Sequence, residues 1–310
     1  MWLNLIIMNN PIILYQAYGS VEYLNQALYS ILTLRHYCPD LDQLYRVIVY
    51  TDKPKYFERH GIESRQVSAE QVSQWRGRYN FEHRFKIEMI RDANQFFGVP
   101  LLYLDSDTYW KASPAPLFSA IADGSFVMYS YEGVLSESYQ PVLHRFLASL
   151  SGQKFGISSK SPVWNSGVIG LPVDIAPLLE EVLKLTDDLF QGCYQRNWLE
   201  EFAFAHILSK HSSIVLATQE VNHYWSYNMQ AQMVLKEFFD ERVRLDEGQL
   251  IADAIALTSD LENRSRAIQK SHGNYWHDRW WRFRRSIKKR SLHLRVLRDM
   301  KLTQQKPHLR

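Results

Sequence analysis

The sequence predicts an α/β fold with a mostly parallel central sheet flanked by helices, and three observations predict it. Short apolar runs of β-forming residues alternate along the chain with stretches whose apolar positions recur at helical spacing. Two of those runs stop at an aspartate, Asp52 and Asp105, and the carboxyl ends of parallel strands are where ligand-binding loops converge. The chain is also large and apolar enough for one substantial core, with 310 residues of which 46% are hydrophobic and 22% charged, a composition far from that of disordered segments.

Taken in order, residues 2–8 are apolar but have no basic residue before them and no small-residue cleavage site after them, and they are too few to cross a bilayer. They read as a lead-in to a first strand at 11–15, which a turn at Gly19 separates from a helix beginning after Ser20 with Leu24, Leu28, Ile31 and Leu34 on one side. A second strand is expected at 45–50 and a third at 99–104. Between them, residues 82–97 place Phe85, Met89, Ile90, Ala93, Phe96 and Phe97 at helical spacing, with Gly98 as the stop. Further strands are expected at 127–131, 168–171 and 214–217, and helices at 175–190 and 199–208. A helical excursion over 231–266 precedes a last short strand at 267–271.

Composition excludes several classes. The two cysteines, Cys38 and Cys193, are too few for a disulfide framework and lack zinc-site spacing, which fits a reducing, cytoplasmic setting. No stretch approaches the roughly 20 apolar residues of a membrane span. The net charge of +3 is uneven, because residues 278–310 carry twelve Lys/Arg against two Asp, a net +10 that leaves −7 for residues 1–277. The expected organisation is therefore one domain over 1–277 and a basic amphipathic tail over 278–310.

The chemistry is most legible at Asp105-Ser106-Asp107, where an apolar run ends in two carboxylates one residue apart. Hard divalent cations take oxygen ligands and are commonly held by one or two carboxylates together with substrate phosphates. Asp40-Leu41-Asp42 repeats the pattern but follows Cys38-Pro39 after a helix, and is read as a solvated turn. What distinguishes the second pair is the strand that leads to it.

These residues, with Lys86, Asn165-Ser166-Gly167 and His272 following the same order, resemble the retaining glycosyltransferases that include glycogenin and bacterial lipopolysaccharide galactosyltransferases, glycosyltransferase family 8. The resemblance spans most of residues 11–277 and implies the nucleotide-diphospho-sugar transferase (GT-A) fold and a UDP-sugar donor. It also implies Mn²⁺ or Mg²⁺ held by Asp105, Asp107 and His272. Lys86 and Ser106 would meet the donor's sugar or phosphates, with Arg84 facing elsewhere, and Asn165 and Gly167 would border the transferred sugar. On physical grounds alone Asn165-Ser166-Gly167 is a turn feeding a strand.

Glu200-Glu201 open a helix, where acidic residues favour the dipole without any further purpose. By the resemblance one of them faces the reacting sugar, as the oxocarbenium stabiliser or as a nucleophile, and the sequence leaves open which. Tyr18 and Tyr23 echo a nucleotide-binding start with a ring for the base, and Asp52 would reach base or ribose. Tyr224-Trp225 with Asn228 and Gln230 combine flat rings and amides suited to an acceptor glycan. After His272 the family's spacing to a phosphate-binding lysine is lost.

In the tail, Trp280-Trp281-Arg282-Phe283 and the aliphatic residues beyond are interleaved with Lys and Arg, which describes a helix that lies on an anionic membrane. Nucleic acid would attract the same charge, but a peripheral position beside lipid-linked acceptors is preferred. Two other functions compete. A sugar nucleotidyltransferase would need a glycine-rich phosphate loop, whereas residues 15–19 offer only Gly19. A degenerate, non-catalytic membrane- or nucleic-acid-binding protein would bind no nucleotide sugar.

Overall fold

The computed structural model describes residues 10–137, 152–192, 199–242 and 245–271. Strands are β1 (Ile12–Gln16), β2 (Arg46–Thr51), β3 (Glu63–Gln66), β4 (Leu101–Leu104), β5 (Thr108–Trp110), β6 (Phe126–Val134), β7 (Pro162–Leu171), β8 (Ile214–Leu216) and β9 (Val221–His223). Helices are α1 (Val21–Tyr37), α2 (Leu41–Leu44), α3 (Pro54–Glu58), α4 (Ala69–Arg76), α5 (Arg84–Phe97), α6 (Ala115–Ala122) and α7 (Gly152–Phe155), then α8 (Ala176–Gly192), α9 (Leu199–His211), α10 (Asn228–Glu241), α11 (Glu247–Thr258) and α12 (Leu261–Ser271).

One seven-stranded sheet has the order β3-β2-β1-β4-β7-β6-β8, and a second, two-stranded sheet pairs β5 with β9. In the large sheet β7 alone runs against the other strands, so the sheet is mostly parallel, as the sequence predicts. Burial explains why the first strands read as continuous apolar runs. Ile12 and Leu14 join the core layer beneath α5, α8 and α9, whereas Ile13 and Tyr15 join the layer beneath α1, α6 and α10. Both faces are covered, as parallel sheets require, and each large aliphatic side chain so buried contributes about 1.5–3 kcal/mol.

α5 follows its sequence signature closely. Phe85, Met89, Ile90 and Ala93 face the core, and Gly98 ends the helix in the left-handed region at φ 61° with its N–H on the Asn94 carbonyl. Two expectations are corrected. Residues 267–271 are not a strand but the end of α12, because buried Leu261 and Ser265 and part-buried Ile268 recur at helical spacing against the α1–α10 layer. Asn165-Ser166-Gly167 is not a turn but the middle of β7, where pairing with β6 continues past the end of β4 through Asn165 opposite Ser130 and Trp164 opposite Tyr131. Asp40 and Asp42 are exposed around α2, as expected.

Candidate metal centre and donor cleft

The site is assembled where β4 ends. The chain turns through Asp105-Ser106-Asp107 into β5, and the turn is fastened to the core by a chain of buried hydrogen bonds. Thr108 Oγ1 donates to the Asp105 carbonyl (2.9 Å), Ser30 Oγ lies 3.0 Å from Thr108 Oγ1, and Tyr15 OH lies 3.0 Å from Ser30 Oγ while accepting from Trp110 Nε1 at 2.9 Å. Satisfied buried networks of this kind fix a unique geometry.

Two strands bring partners to the turn. Because β7 opposes β4 with Val168 beside Leu104, its preceding residues run on beyond β4, and Asp105 N donates to the Gly167 carbonyl at 2.8 Å. In the small sheet Thr108 pairs with His223, and Tyr224 N donates to the Asp107 carbonyl at 3.0 Å. His223 Nε2 consequently lies 3.2 Å from Asp107 Oδ1 and 3.9 Å from Asp105 Oδ2. Asp105, Asp107 and His223 each offer a ligand atom, all within 4.8 Å of one another.

The residues fit a divalent cation, and the decisive observation lies on the far side of the imidazole. His223 Nδ1 is 3.0 Å from Asn165 Oδ1, an oxygen already accepting the Gly167 N–H at 2.9 Å. An amide oxygen only accepts, so Nδ1 carries a proton, and Nε2 is the ring nitrogen turned to the two carboxylates, where it carries a proton or, in its place, a cation. Burial disfavours the imidazolium, yet Asp107 and then Asp105 outweigh it and hold the His223 pKa above its ordinary value. The same negative potential suits a metal ion.

Gly167 makes room for this ring. A Cβ there would lie 2.2 Å from His223 Nδ1. His272, the third ligand expected from sequence, lies outside the described residues; among those described, the histidine beside the carboxylates is His223.

Lys86 is the hub behind the metal ligands. It is buried, with Nζ 3.0 Å from Glu200 and 3.1 Å from Asp105, and it donates to Ser166 O and Oγ at 3.3 and 3.2 Å. Burial alone would lower its pKa, but Asp105 and Glu200 raise it above the ordinary lysine value. In return, burial of Asp105 is overcome by Lys86 first, then by His223 and a Tyr103 hydroxyl hydrogen bond, and its pKa falls below the usual carboxylate value. Arg84 faces away, as predicted, pairing with Glu88 and Asp187.

These groups line one end of a cleft of about 380 Å³ that also contains Tyr18, Tyr23, Ser106 and Asn228. Asn228 Nδ2 donates to Asp107 Oδ2 at 2.6 Å while its oxygen accepts from buried Gln26. The two glutamates are told apart here. Glu200 accepts from Ser166 Oγ at 3.0 Å and pairs with Lys86, whereas Glu201 Oε2 is met by Ser166 N at 3.4 Å. Burial first, then Glu132 and Glu200, push the Glu201 pKa well above the ordinary value of 4.5, against the pull of Lys86.

A pH test follows from that raised pKa. Between 4.5 and the raised value the folded protein holds a proton on Glu201 that the unfolded chain has released, so this residue's contribution to stability falls as pH rises through the window. Glu201→Gln removes that loss. The variant is expected to melt a few degrees above wild type at pH 8, at roughly 2–4 °C per kcal/mol, and to show a smaller gain at pH 5. Equal shifts at both values would refute the assignment.

Other predicted residues are placed elsewhere. Asp52 accepts from Gly19 N at 3.1 Å, pinning the β1–α1 turn where Gly19 has φ 93°, and it is absent from the cleft lining. Tyr224 is buried in the core between the rings of Tyr109 and Tyr227. Trp225 is 59% exposed, and Gln230 is half-buried on the first turn of α10. His223, Gln26, Tyr103 and Glu132 escaped the sequence reading. His223 directly precedes the Tyr224-Trp225 element, but only its pairing across to β5 distinguishes it from the ten other histidines.

A larger cavity of about 720 Å³ opens between the end of α1, the turn after α3 and α10–α11. Its Arg35 and Arg242 are neutralised by Glu247 and Asp253, and it contains no clustered metal ligands among the described residues. The smaller cleft therefore holds the chemistry.

No family model matches the chain, and no curated protein matches it. The solved structures similar to it in chain path include three glycosyltransferases. The galactosyltransferase LgtC in complex with donor and acceptor sugar analogues is 15% identical, over 66% of this chain and 73% of that one, with a TM-score of 0.43. The WbbM bifunctional glycosyltransferase in its apo form is 10% identical over 74% and 44%, with a TM-score of 0.44. Mouse xyloside xylosyltransferase 1, apo form, is 12% identical over 67% and 84%, with a TM-score of 0.47. At such identities the chemistry of the cleft rests on its own geometry.

Proposed function

We propose that this chain is a metal-dependent glycosyltransferase that moves a sugar from a nucleoside-diphosphate sugar, a UDP-sugar, to a glycan or lipid-linked acceptor with retention at the anomeric carbon. The observation that carries the reading is the Asp105–Asp107–His223 set, oriented from behind by Asn165 and opening onto a cleft lined by Lys86, which is backed by Glu200. The retaining outcome and the choice of uridine are supported by the family resemblance of the motifs.

Asp105, Asp107 and His223 would hold Mn²⁺, or Mg²⁺, which supplies charge neutralisation for the departing diphosphate. The remaining work falls to protein groups. Tyr18 and Tyr23 border the cleft from the β1–α1 side, where an aromatic face suits a base. Lys86 holds Asp105 and Glu200 in place rather than offering a free ammonium. Glu200 is a fixed negative charge buried behind Lys86, from where it would steady oxocarbenium-like charge on the sugar. Glu201, met by Ser166 N, is the neighbouring carboxyl group that would complete the sugar-facing end of α9. Trp225 and Gln230 are the acceptor-side groups left available.

No helix among the described residues is long and apolar enough to cross a membrane. Residues 278–310 lie outside those described, and their +10 charge with interleaved aromatic residues supports a peripheral site on the inner membrane surface.

The test is thermal stabilisation by a panel of nucleoside-diphosphate sugars with and without Mn²⁺. A UDP-sugar at 100 times its Kd should add about 2.7 kcal/mol of stability, and only with the metal present. If no donor stabilises the protein in either condition, the transferase reading is lost.

A further inference from the structure

The cleft has three basic side chains, Arg76, His83 and Lys86, and Lys86 is already committed. Lys86 is buried between Asp105 and Glu200 and hydrogen-bonded to Ser166. His83 Nδ1 lies 3.9 Å from Glu200. Arg76 differs from both. Its side chain is 29% exposed, its Nε is buried with no hydrogen-bond partner, and the nearest carboxylate, that of exposed Glu82, stands 3.7 Å from Nη2. A buried N–H left without an acceptor costs about 1–3 kcal/mol; the exposed part of the side chain is what lines the cleft.

The backbone that carries Arg76 is held in advance of any ligand. Arg76 ends α4, and the next residue, Gly77, turns the chain at φ 65° against the Arg84 guanidinium. Arg84 in turn donates to the Trp75 carbonyl at 2.8 Å and is anchored by Asp187 and Glu88. The Trp75 ring packs on Phe85 and Tyr50. The basic residue set aside at Arg84 thus acts as the clasp that presents Arg76.

Charge supplies the other half of the case. Asp105, Asp107 and Glu200 against Lys86 leave the inner cleft acidic, and a bound divalent ion roughly neutralises it. A nucleoside diphosphate then brings negative charge that no uncommitted lysine in the cleft can meet. A guanidinium suits phosphate oxygens because its planar fork donates two parallel hydrogen bonds.

We propose that Arg76 is the protein's anchor for the donor's diphosphate, receiving phosphate oxygens on the exposed end of its guanidinium from the α4 wall of the cleft. This rests on the transferase reading, and the experiment separates the two. The full chain and its Arg76→Gln and Arg76→Lys variants are titrated calorimetrically with uridine, UMP and UDP in Mn²⁺, with melting curves as the control for folding. Arg76→Gln is expected to weaken UDP about 10- to 100-fold, UMP less, and uridine not at all. Arg76→Lys, which keeps the charge and loses the fork, should fall between Arg76→Gln and wild type; it carries the test if the glutamine variant does not fold.

Wild-type UDP affinity in the variants that fold would overturn the Arg76 assignment alone. An equal loss for uridine and UDP would overturn it as well, by showing a general disturbance of the cleft. If wild type itself binds no UDP with Mn²⁺, the transferase reading fails and takes this role with it.

Discussion

Asp107→Asn is expected to lower metal-dependent sugar transfer by about 10³-fold, roughly 4 kcal/mol of transition-state stabilisation, with little change in melting temperature. The two halves of that expectation have separate causes. The substitution removes a ligand charge 3.2 Å from His223 Nε2, yet an asparagine oxygen can still accept the Asn228 hydrogen bond now at 2.6 Å. Asp105→Asn should behave differently, because Asp105 is also a partner of buried Lys86. Breaking a buried pair from one side costs up to about 3–5 kcal/mol; Lys86 keeps Glu200 as a partner, so that variant is expected to lose a part of this in stability along with activity. Steady-state transfer rates, Mn²⁺ titration and urea unfolding of both variants together check this. Undiminished transfer by Asp107→Asn would remove it from the metal site.

The second large effect comes from a single methyl group. Gly167→Ala places a carbon 2.2 Å from His223 Nδ1 and 2.4 Å from its Cε1, well inside contact distance. The ring has little freedom to retreat, since Asn165 holds Nδ1 and the Tyr129 ring meets it edge-on at 5.3 Å. Overpacking of this kind costs about 1–3 kcal/mol, and misorienting a metal-bound imidazole costs about 10- to 100-fold in metal affinity. The variant should therefore stay folded but need far more Mn²⁺ for half-maximal stabilisation. A normal Mn²⁺ requirement would mean that His223 is not a ligand.

Much of the sheet was legible because its strands are buried on both faces. Ile12 to Tyr15 and Leu101 to Leu104 read as uninterrupted apolar runs, and that is how central parallel strands are written. The Asp-x-Asp turn was legible for the same reason, since a carboxylate pair stands out at the end of such a run. Lys86 and Glu200 were visible as candidates, but their mutual contact was not, because it joins α5 to α9, far apart in sequence, over one face of the sheet. His223 was hidden by the same kind of long-range pairing, as nothing local to Val221-Asn222-His223 indicates that Thr108 lies opposite. The strand expected at 267–271 failed where a short apolar stretch fits helix and strand alike. Asn165 was assigned to a turn because Asn, Ser and Gly favour turns locally, and the pairing with β6 overrides that preference.

The reversed direction of β7 also determines how this protein can vary. One continuous strand serves as structural ruler and as site, with Val168 to Leu171 measured against β4 and Asn165 to Gly167 projecting past it. A one-residue slip would turn Asn165 away from His223 and send core side chains to the opposite face. An insertion or deletion between Asn165 and Leu171 would therefore disturb frame and site together, whereas point changes at the projecting end adjust the site without touching the frame. Diversity in what the cleft accepts can accumulate in the segments leading into and out of that strand.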